Sequence, residues 1–494
     1  MSSNPTNDAS TGQGGDVKVV VAGASGFIGR GLAGAFQDTA VELVGLTRRP
    51  DLVGGGSEDG YRWRRCDLFS RTQTLHALTG ARFGVYLVHS TLPSAHLTQG
   101  KPADMDLICA DNFARAAAHH GLEHIIYVGI AAGGDEDDPQ AQTRREVEST
   151  LAQYGTPITT LRASMVLGPG SVASRILKDL VERLPVMALP KWTESKIAPV
   201  DRRDLVRVLV DLLGRPEAMG RAYDLRGAEV TSFAELLEGS ARLLGLRRRF
   251  YGMPVSMPWL AARWISAFCD VHPAVVAEFV AQAMGGRLTH KTSLPAPVDW
   301  NPRPLEESLG GALGIKPVRN GEEAREVDRR ATSLQVVRET ELLRRGDDRR
   351  VVRSVQRLPL PDDHDATWIA REYARWLPRF MRPFINVERD PEMNLRFYLR
   401  PIGRPMLVLE FDDDVSHSDR HLYWIRGGAL AREHRWARLE FREVLAGDQV
   451  MAAIHDFEPR LPWFVYRMTQ AQIHRLVMHR FGRYLEGLCQ EDAS

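Results

Sequence analysis

The segment Val17-Lys-Val-Val-Val-Ala22 runs without a break into Gly23-x-x-Gly26-x-x-Gly29, and no other stretch limits so sharply what this chain can become. A strand-forming run meets three glycines at the spacing of a strand-to-helix turn. The first glycine permits the tight turn, the second lets the backbone approach a pyrophosphate, and the third allows close helix–strand packing. The helix that follows presents free N–H groups and the positive end of its dipole to such phosphates. A glycine-rich turn without a ligand is the competing reading. Against it stands what comes next: strand-like runs at residues 41–46, 84–88, 124–128 and 158–161 alternate with helical stretches such as 29–36 and 112–119. That rhythm predicts α/β architecture, a Rossmann-type doubly wound parallel sheet, with a more helical substrate-side subdomain after it.

The second strand ends in Thr47-Arg48-Arg49, with no carboxylate before Asp51. A carboxylate there would hold a free ribose 2′-OH, whereas arginine suits a 2′-phosphate through its bidentate fork. The pattern therefore predicts NADP(H) rather than NAD, against the plainer reading of two arginines in a solvated loop.

These motifs are joined by Cys66-Asp67-Leu68, Tyr86-Leu87-Val88-His89-Ser90, Asn112 within Asp111-Asn112-Phe113-Ala114-Arg115, Tyr127-Val128-Gly129 and Leu161-Arg162-Ala163-Ser164-Met165-Val166-Leu167-Gly168-Pro169-Gly170. Together, over residues 17–313, they resemble the short-chain dehydrogenase/reductase superfamily, and more narrowly its atypical, NmrA-like members. The resemblance implies a cofactor cradle of Gly23, Ser25, Gly26, Phe27, Ile28 and Gly29, with Thr47, Arg48 and Arg49 at the ribose. It further implies Asp67 and Leu68 beside the adenine, Val88, His89 and Ser90 along the cofactor, and Ala163, Ser164, Met165 and Val166 near the nicotinamide. Asn112 would stand behind the active site. One departure matters. Superfamily enzymes use Tyr-x-x-x-Lys for proton transfer, yet no tyrosine here has lysine four residues on. Arg144 best matches the lysine; it can hold the ribose but cannot donate a proton near neutral pH. Tyr86, His89 and Tyr127 are the substitute acids to consider, and each reads equally well as a packed ring or a cofactor contact.

A chain of 494 residues exceeds one ordinary core. Residues 1–15 read as a disordered tail, 16–316 as the dinucleotide-binding domain, 317–350 as a charged linker or helix separating two independent units, and 351–490 as a second domain. In the last, short strand-like runs lead to a long helix at 462–488, whose apolar side is read as Val465, Met468, Ile473, Leu476, Val477, Phe481, Tyr484 and Leu485. With the stretch from Ala453-Ile454-His455-Asp456-Phe457 to Tyr466, it resembles a helix-grip domain of the START-like kind. That resemblance implies an α+β sheet around one helix and a cavity for a lipid-like or aromatic ligand. The alternative is that Trp424, Trp436, Phe441, Phe457 and Trp463 fill the core. Residues 253–268, with Trp259 and Trp264, could lie on a membrane, shape a lid, or be plain core.

Other chemistry is excluded or weakened. The formal charge of +1 gives no global field for nucleic acid. No apolar run approaches the ~20 residues of a membrane span. Cysteines at 66, 109, 269 and 489 form no C-x-x-C and suit a reducing, cytoplasmic setting. His474 and His479 are five apart and share no ligating face, Asp412-Asp413-Asp414 lacks a calcium loop's spacing, and no lysine follows Lys316. The expected function is an NADP(H)-dependent oxidoreductase acting on a small apolar or aromatic substrate, without a metal. Two other readings stay open: a non-catalytic NADPH-binding sensor or regulator with a protein partner, and a structural subunit holding NADPH.

Overall fold

The computed structural model describes residues 17–37, 39–48, 60–89, 97–130, 139–254, 258–285, 300–315, 351–400 and 403–492. The expected tail and charged linker lie outside the described residues.

In chain order the first half runs β1 (Val17–Ala22), α1 (Phe27–Ala35), β2 (Val41–Thr47), β3 (Arg62–Arg65), α2 (Arg71–Ala77), β4 (Phe83–Tyr86), β5 (Leu97–Gln99), α3 (Pro102–His120), β6 (His124–Ile130), α4 (Pro139–Ala152) and β7 (Ile158–Ala163). It continues with α5 (Val172–Arg183), α6 (Arg202–Leu212), β8 (Ala222–Leu225), α7 (Phe233–Leu243), α8 (Pro258–Phe268), α9 (Pro273–Gly285) and α10 (Leu305–Leu313). Seven of these strands form one parallel sheet in the order β8-β7-β6-β4-β1-β2-β3. β1 reads as a continuous apolar run because both its faces are covered: Val19 and Val21 pack with α1 and α6, and Val20 and Ala22 with α3. The helices α5 and α7–α10 build a separate core beyond β7, with Ile176, Leu237, Ile265, Val276 and Leu309 at its centre. Of residues 253–268, Ala261, Ala262 and Ile265 join that core, while Trp259 and Leu260 are exposed.

The second half comprises β9 (Val352–Pro359), α11 (Ala366–Phe380), β10 (Ile385–Arg389), β11 (Leu395–Leu399), β12 (Pro405–Phe411), β13 (Arg420–Gly427), β14 (Arg438–Val444), β15 (Gln449–Phe457), α12 (Trp463–Met468) and α13 (Gln470–Asp492). Its strands form an antiparallel sheet in the order β10-β11-β12-β13-β14-β15-β9, against one face of which α11 and α13 pack. Aromatic rings occupy that core: Phe481 lies 5.2 Å from both Tyr373 and Trp376, and Phe441 5.8 Å from Tyr373. Of the five aromatics singled out in the sequence, Phe441 and Phe457 are buried there, whereas Trp436 is exposed.

Two features depart from the sequence reading. The terminal helix breaks at Thr469, and Val465, Met468, Ile473 and Leu476 point to solvent while Val477, Phe481 and Leu485 carry the packing. An apolar residue at helical spacing reports a stripe, and two stripes on one helix cannot be ranked by periodicity alone. Second, the two halves share a sheet and a small core. β5, from the first half, pairs in parallel with β9 as the eighth strand of the second sheet. A core of Phe69, Met105, Ile108 and Cys109 against Val355, Val444, Met451 and Ala453 seals the junction.

Candidate functional site

The order of the parallel sheet reverses between β1 and β4, and ligands of such sheets bind at the carboxyl ends of the strands flanking that reversal. The glycine loop sits there. Gly23 has φ +87°, a conformation side chains resist, and a Cβ on it would also lie 3.0 Å from the Leu87 carbonyl. Gly29 serves packing, since a Cβ there would come within 2.5 Å of the Ala24 carbonyl. Gly26 caps α1 without a side-chain hydrogen bond, and no acidic residue stands in the first turn. The helix thus begins with amides that its own sequence does not satisfy, as a phosphate cradle requires. Ser25 turns its carbonyl to Arg30, whose Nη1 donates to it at 2.7 Å. The Phe27 ring stacks 4.9 Å from the Arg202 guanidinium, which also donates to the Phe27 carbonyl at 3.3 Å. Ile28 packs into the α1 face of the sheet. Burial, then the neighbouring charge of Arg30, lowers the Arg202 pKa. Two cations converging on a helix start suit an anion; sequence reasoning missed both, because Arg202 is remote in the chain and Arg30 falls just past the motif.

At the adjoining edge, Thr47 is buried and Arg48 is exposed, while Arg49 lies outside the described residues. Asp67 follows β3. Its Oδ1 accepts from the Phe69 amide at 3.2 Å, and its Oδ2 from the Arg353 guanidinium of the second half. Burial works to raise the Asp67 pKa, but the charges of Arg353 and Arg48 outweigh it and hold the carboxyl below its usual range. Leu68 turns its carbonyl to Asn112, whose Nδ2 donates at 2.8 Å. The Asn112 Oδ1 accepts from Arg442 Nη1 at 2.7 Å.

On the β4 side, Tyr86 is fully buried, 5.2 Å from the Phe113 ring and 6.1 Å from that of Tyr127, and burial pushes its pKa well up. Tyr127, also buried, is pushed up to about 12 by burial first. Both rings belong to the core beneath the site, with Val88 packed against that core. His89 differs. Its Nδ1 meets Asp106 Oδ2 at 2.8 Å, and its Nε2 meets Glu278 of α9. Arg144 lies alongside the ring, 3.7 Å from Asp106 and 3.6 Å from Glu278. Its nitrogens also approach both ring nitrogens at 2.6 Å, but a nitrogen carrying a proton for a carboxylate cannot accept one from arginine. Burial opposes charge on His89, and the hydrogen bonds to Asp106 and Glu278 outweigh it, so its pKa is raised. The sequence named His89 and Arg144; Asp106 and Glu278 gave no signal, lying 17 and 189 residues from His89. Ser90 lies outside the described residues. Ala163 ends β7, Ser164 Oγ donates to the Ala198 carbonyl at 3.2 Å, Met165 packs toward the α5–α10 core, and Val166 toward the β1 layer.

The geometry defines a Rossmann-type site, and residues 19–225 match the NAD dependent epimerase/dehydratase family. Two relatives are similar in sequence. The auxiliary protein GraX of Staphylococcus aureus is 31% identical over 182 residues, 36% of this chain and 55% of that protein. The (4-alkanoyl-5-oxo-2,5-dihydrofuran-3-yl)methyl phosphate reductase of Streptomyces griseus is 27% identical over 276 residues, 54% of this chain and 85% of that protein. The match thus spans little more than half of the first relative's length. Among solved structures, the Citrobacter triphenylmethane reductase complexed with NADP(H) shares 17% identity at a TM-score of 0.47, covering 60% of this chain and 100% of its own. The NADPH-dependent quinone oxidoreductase QOR2 of Escherichia coli, complexed with NADPH, shares 18% at 0.47, covering 60% and 99%. Among the described residues no helix is long and apolar enough to cross a membrane.

Proposed function

We propose that this protein is an NADP(H)-dependent oxidoreductase of the atypical short-chain type that reduces a small apolar or aromatic acceptor. The observation that carries the reading is the start of α1: first-turn amides without a capping side chain or acidic residue, at the point where the sheet order reverses, with Arg30 and Arg202 beside them. Those groups fit a pyrophosphate, and Arg48 at the end of β2 fits a 2′-phosphate. When bound, NADPH supplies a hydride. His89 then gives the balancing proton: its Nδ1 is fixed by Asp106, and its Nε2 faces α9 of the substrate-side helices, where Glu278 now meets it. Asp106 fixes the ring and favours its charged form, and Arg144 keeps the local charge balanced. The chain thereby has a proton donor that the missing Tyr-x-x-x-Lys pair would otherwise supply.

The antiparallel sheet holding α13 is read here as a helix-grip domain that selects or retains the acceptor. The sensor reading is favoured by one observation, the reach of Arg353 and Arg442 from the second half into the residues beside the nucleotide cradle. The test is to bind NADPH, confirmed by fluorescence, and follow its absorbance as quinones and unsaturated lactones are added. Consumption of NADPH supports the reductase; tight binding with no consumption across the panel supports the sensor; no binding removes both.

A further inference from the structure

We infer that the second half of the chain builds the adenosine end of the dinucleotide site, with Arg353 as the residue that positions Asp67 for it; the inference rests on the dinucleotide-binding reading above. The loop Asp67-Leu68-Phe69 follows β3, and Asp67 feels the charge of Arg48 at the end of β2, so it lies on the adenosine side of the sheet reversal. Three contacts from beyond residue 350 hold this loop. Arg353 donates to the Asp67 carboxylate while also reaching Asp456 at 3.2 Å. The Phe69 ring lies 5.0 Å from the Arg353 guanidinium and 4.4 Å from the His455 ring. Arg442 bonds Asn112, and Asn112 in turn bonds the Leu68 carbonyl.

Asp67 and Phe69 therefore touch side chains of the other half directly, and Leu68 is linked to Arg442 through Asn112. Within its own half the loop keeps the bonds from Phe69 to Asp67 Oδ1 and from Asp67 N to Gln73 Oε1, at 3.2 and 3.0 Å, together with those from Ser70 N to the Asp67 carbonyl at 2.8 Å and from Thr74 Oγ1 and the Asn112 amide to the Leu68 carbonyl at 3.4 and 2.8 Å. Neither of the first two fixes the second carboxylate oxygen. Arginine's planar fork can span Asp67 and Asp456 at once, which a lysine ammonium does less well. A loop positioned this way makes the halves one binding unit. By linkage, whatever tightens the junction tightens the dinucleotide, and the bound dinucleotide tightens the junction.

The experiment uses the full chain and measures the affinity of NADPH, NADH and 2′,5′-ADP for wild type, Arg353→Lys and Phe69→Leu. Arg353→Lys is expected to weaken all three by roughly tenfold, the scale of a lost charge-assisted hydrogen bond, and to leave the NADPH:NADH ratio unchanged because the adenosine is common to both. Arg48→Ala, by contrast, changes that ratio. If Arg353→Lys fails to fold, Phe69→Leu keeps an apolar side chain in the shared core and should weaken the same three ligands by a smaller factor. A folded variant of either kind with affinities within twofold of wild type overturns the inference alone. Absence of any dinucleotide binding by the wild type overturns the proposed function, and this inference with it.

Discussion

His89 is the residue whose chemistry depends most on its neighbours. Burial disfavours its charge, yet hydrogen bonds to Asp106 and Glu278 raise its pKa above the ordinary 6.5. A group raised on folding adds stability that is fully present below its unfolded pKa and is lost as pH rises through the folded value. Both stability and proton donation by His89 should thus fall with rising pH, in the window beginning near 6.5 and extending above it. We expect turnover to titrate away across that window, and His89→Gln to lower turnover by about 10²-fold or more without changing NADPH affinity greatly. Asp106→Asn should move the pH profile to lower values, an effect that a merely structural role would not produce. A flat profile from pH 6 to 9 would remove His89 from the chemistry. At the other end of the site, Arg48→Ala should cut the preference for NADPH over NADH by roughly tenfold, measured by paired titrations, because only the 2′-phosphate distinguishes the two.

At the scale of elements, the turn from β1 into α1 separates two kinds of glycine. A Cβ on Gly29 would meet Ala24 backbone at 2.5 and 2.6 Å, so Gly29→Ala must push α1 off the sheet. It should cost about 1–3 kcal/mol, read as a lower unfolding midpoint in urea, and weaken dinucleotide binding as well. A Cβ on Gly26 would meet only the Gly23 carbonyl, at 3.0 Å. Gly26→Val should therefore stay folded and lose NADPH, because its branches fill the space a pyrophosphate needs. This turn was legible in the sequence because glycine spacing is a local signal. So were the buried parallel strands, as continuous apolar runs. β3, reading Arg-Trp-Arg-Arg, is a sheet edge without an apolar pattern and gave no such signal. The outward residues of α12 and α13 misled for the opposite reason: Val465, Met468, Ile473 and Leu476 repeat at helical spacing, but the second sheet lies on the other side. Of the proposed site, the glycine turn, His89 and Arg144 could be named from local sequence, whereas Asp106, Glu278 and Arg353 meet them only when distant segments come together.

For the whole molecule, the junction decides whether the chain behaves as one body or two. Ion pairs cross it: the buried Arg442 Nη1 donates to Asp111 Oδ2 at 2.7 Å, and the half-buried Arg115 Nη1 to Asp419 Oδ2 at 2.6 Å. Arg357 reaches Asp104 at 2.9 Å and Glu146 at 2.8 and 3.0 Å. Inside the second half, Glu440 accepts from Arg420 and Arg442, and burial alone would raise its pKa, but those charges hold it well below the usual range. Separating the halves would remove the bond from Arg442 to Asp111, worth about 1.5–3 kcal/mol as a hydrogen bond between charged groups, while Asp111 keeps Arg115 and Tyr154 and Arg442 keeps Glu440. It would also strip β9 of β5 and expose Val355, Val444, Met451 and Ala453. A fragment of residues 351–494 is therefore expected to aggregate or to lack cooperative unfolding, and one of residues 1–316 to bind NADPH more weakly than the full chain. The full chain should unfold in one transition by circular dichroism and by cofactor fluorescence alike. NADPH at a hundred times its dissociation constant should raise its stability by about 2.7 kcal/mol, carrying both halves together. Two transitions, with only the first moved by NADPH, would show that the shared strand and core do not couple the halves.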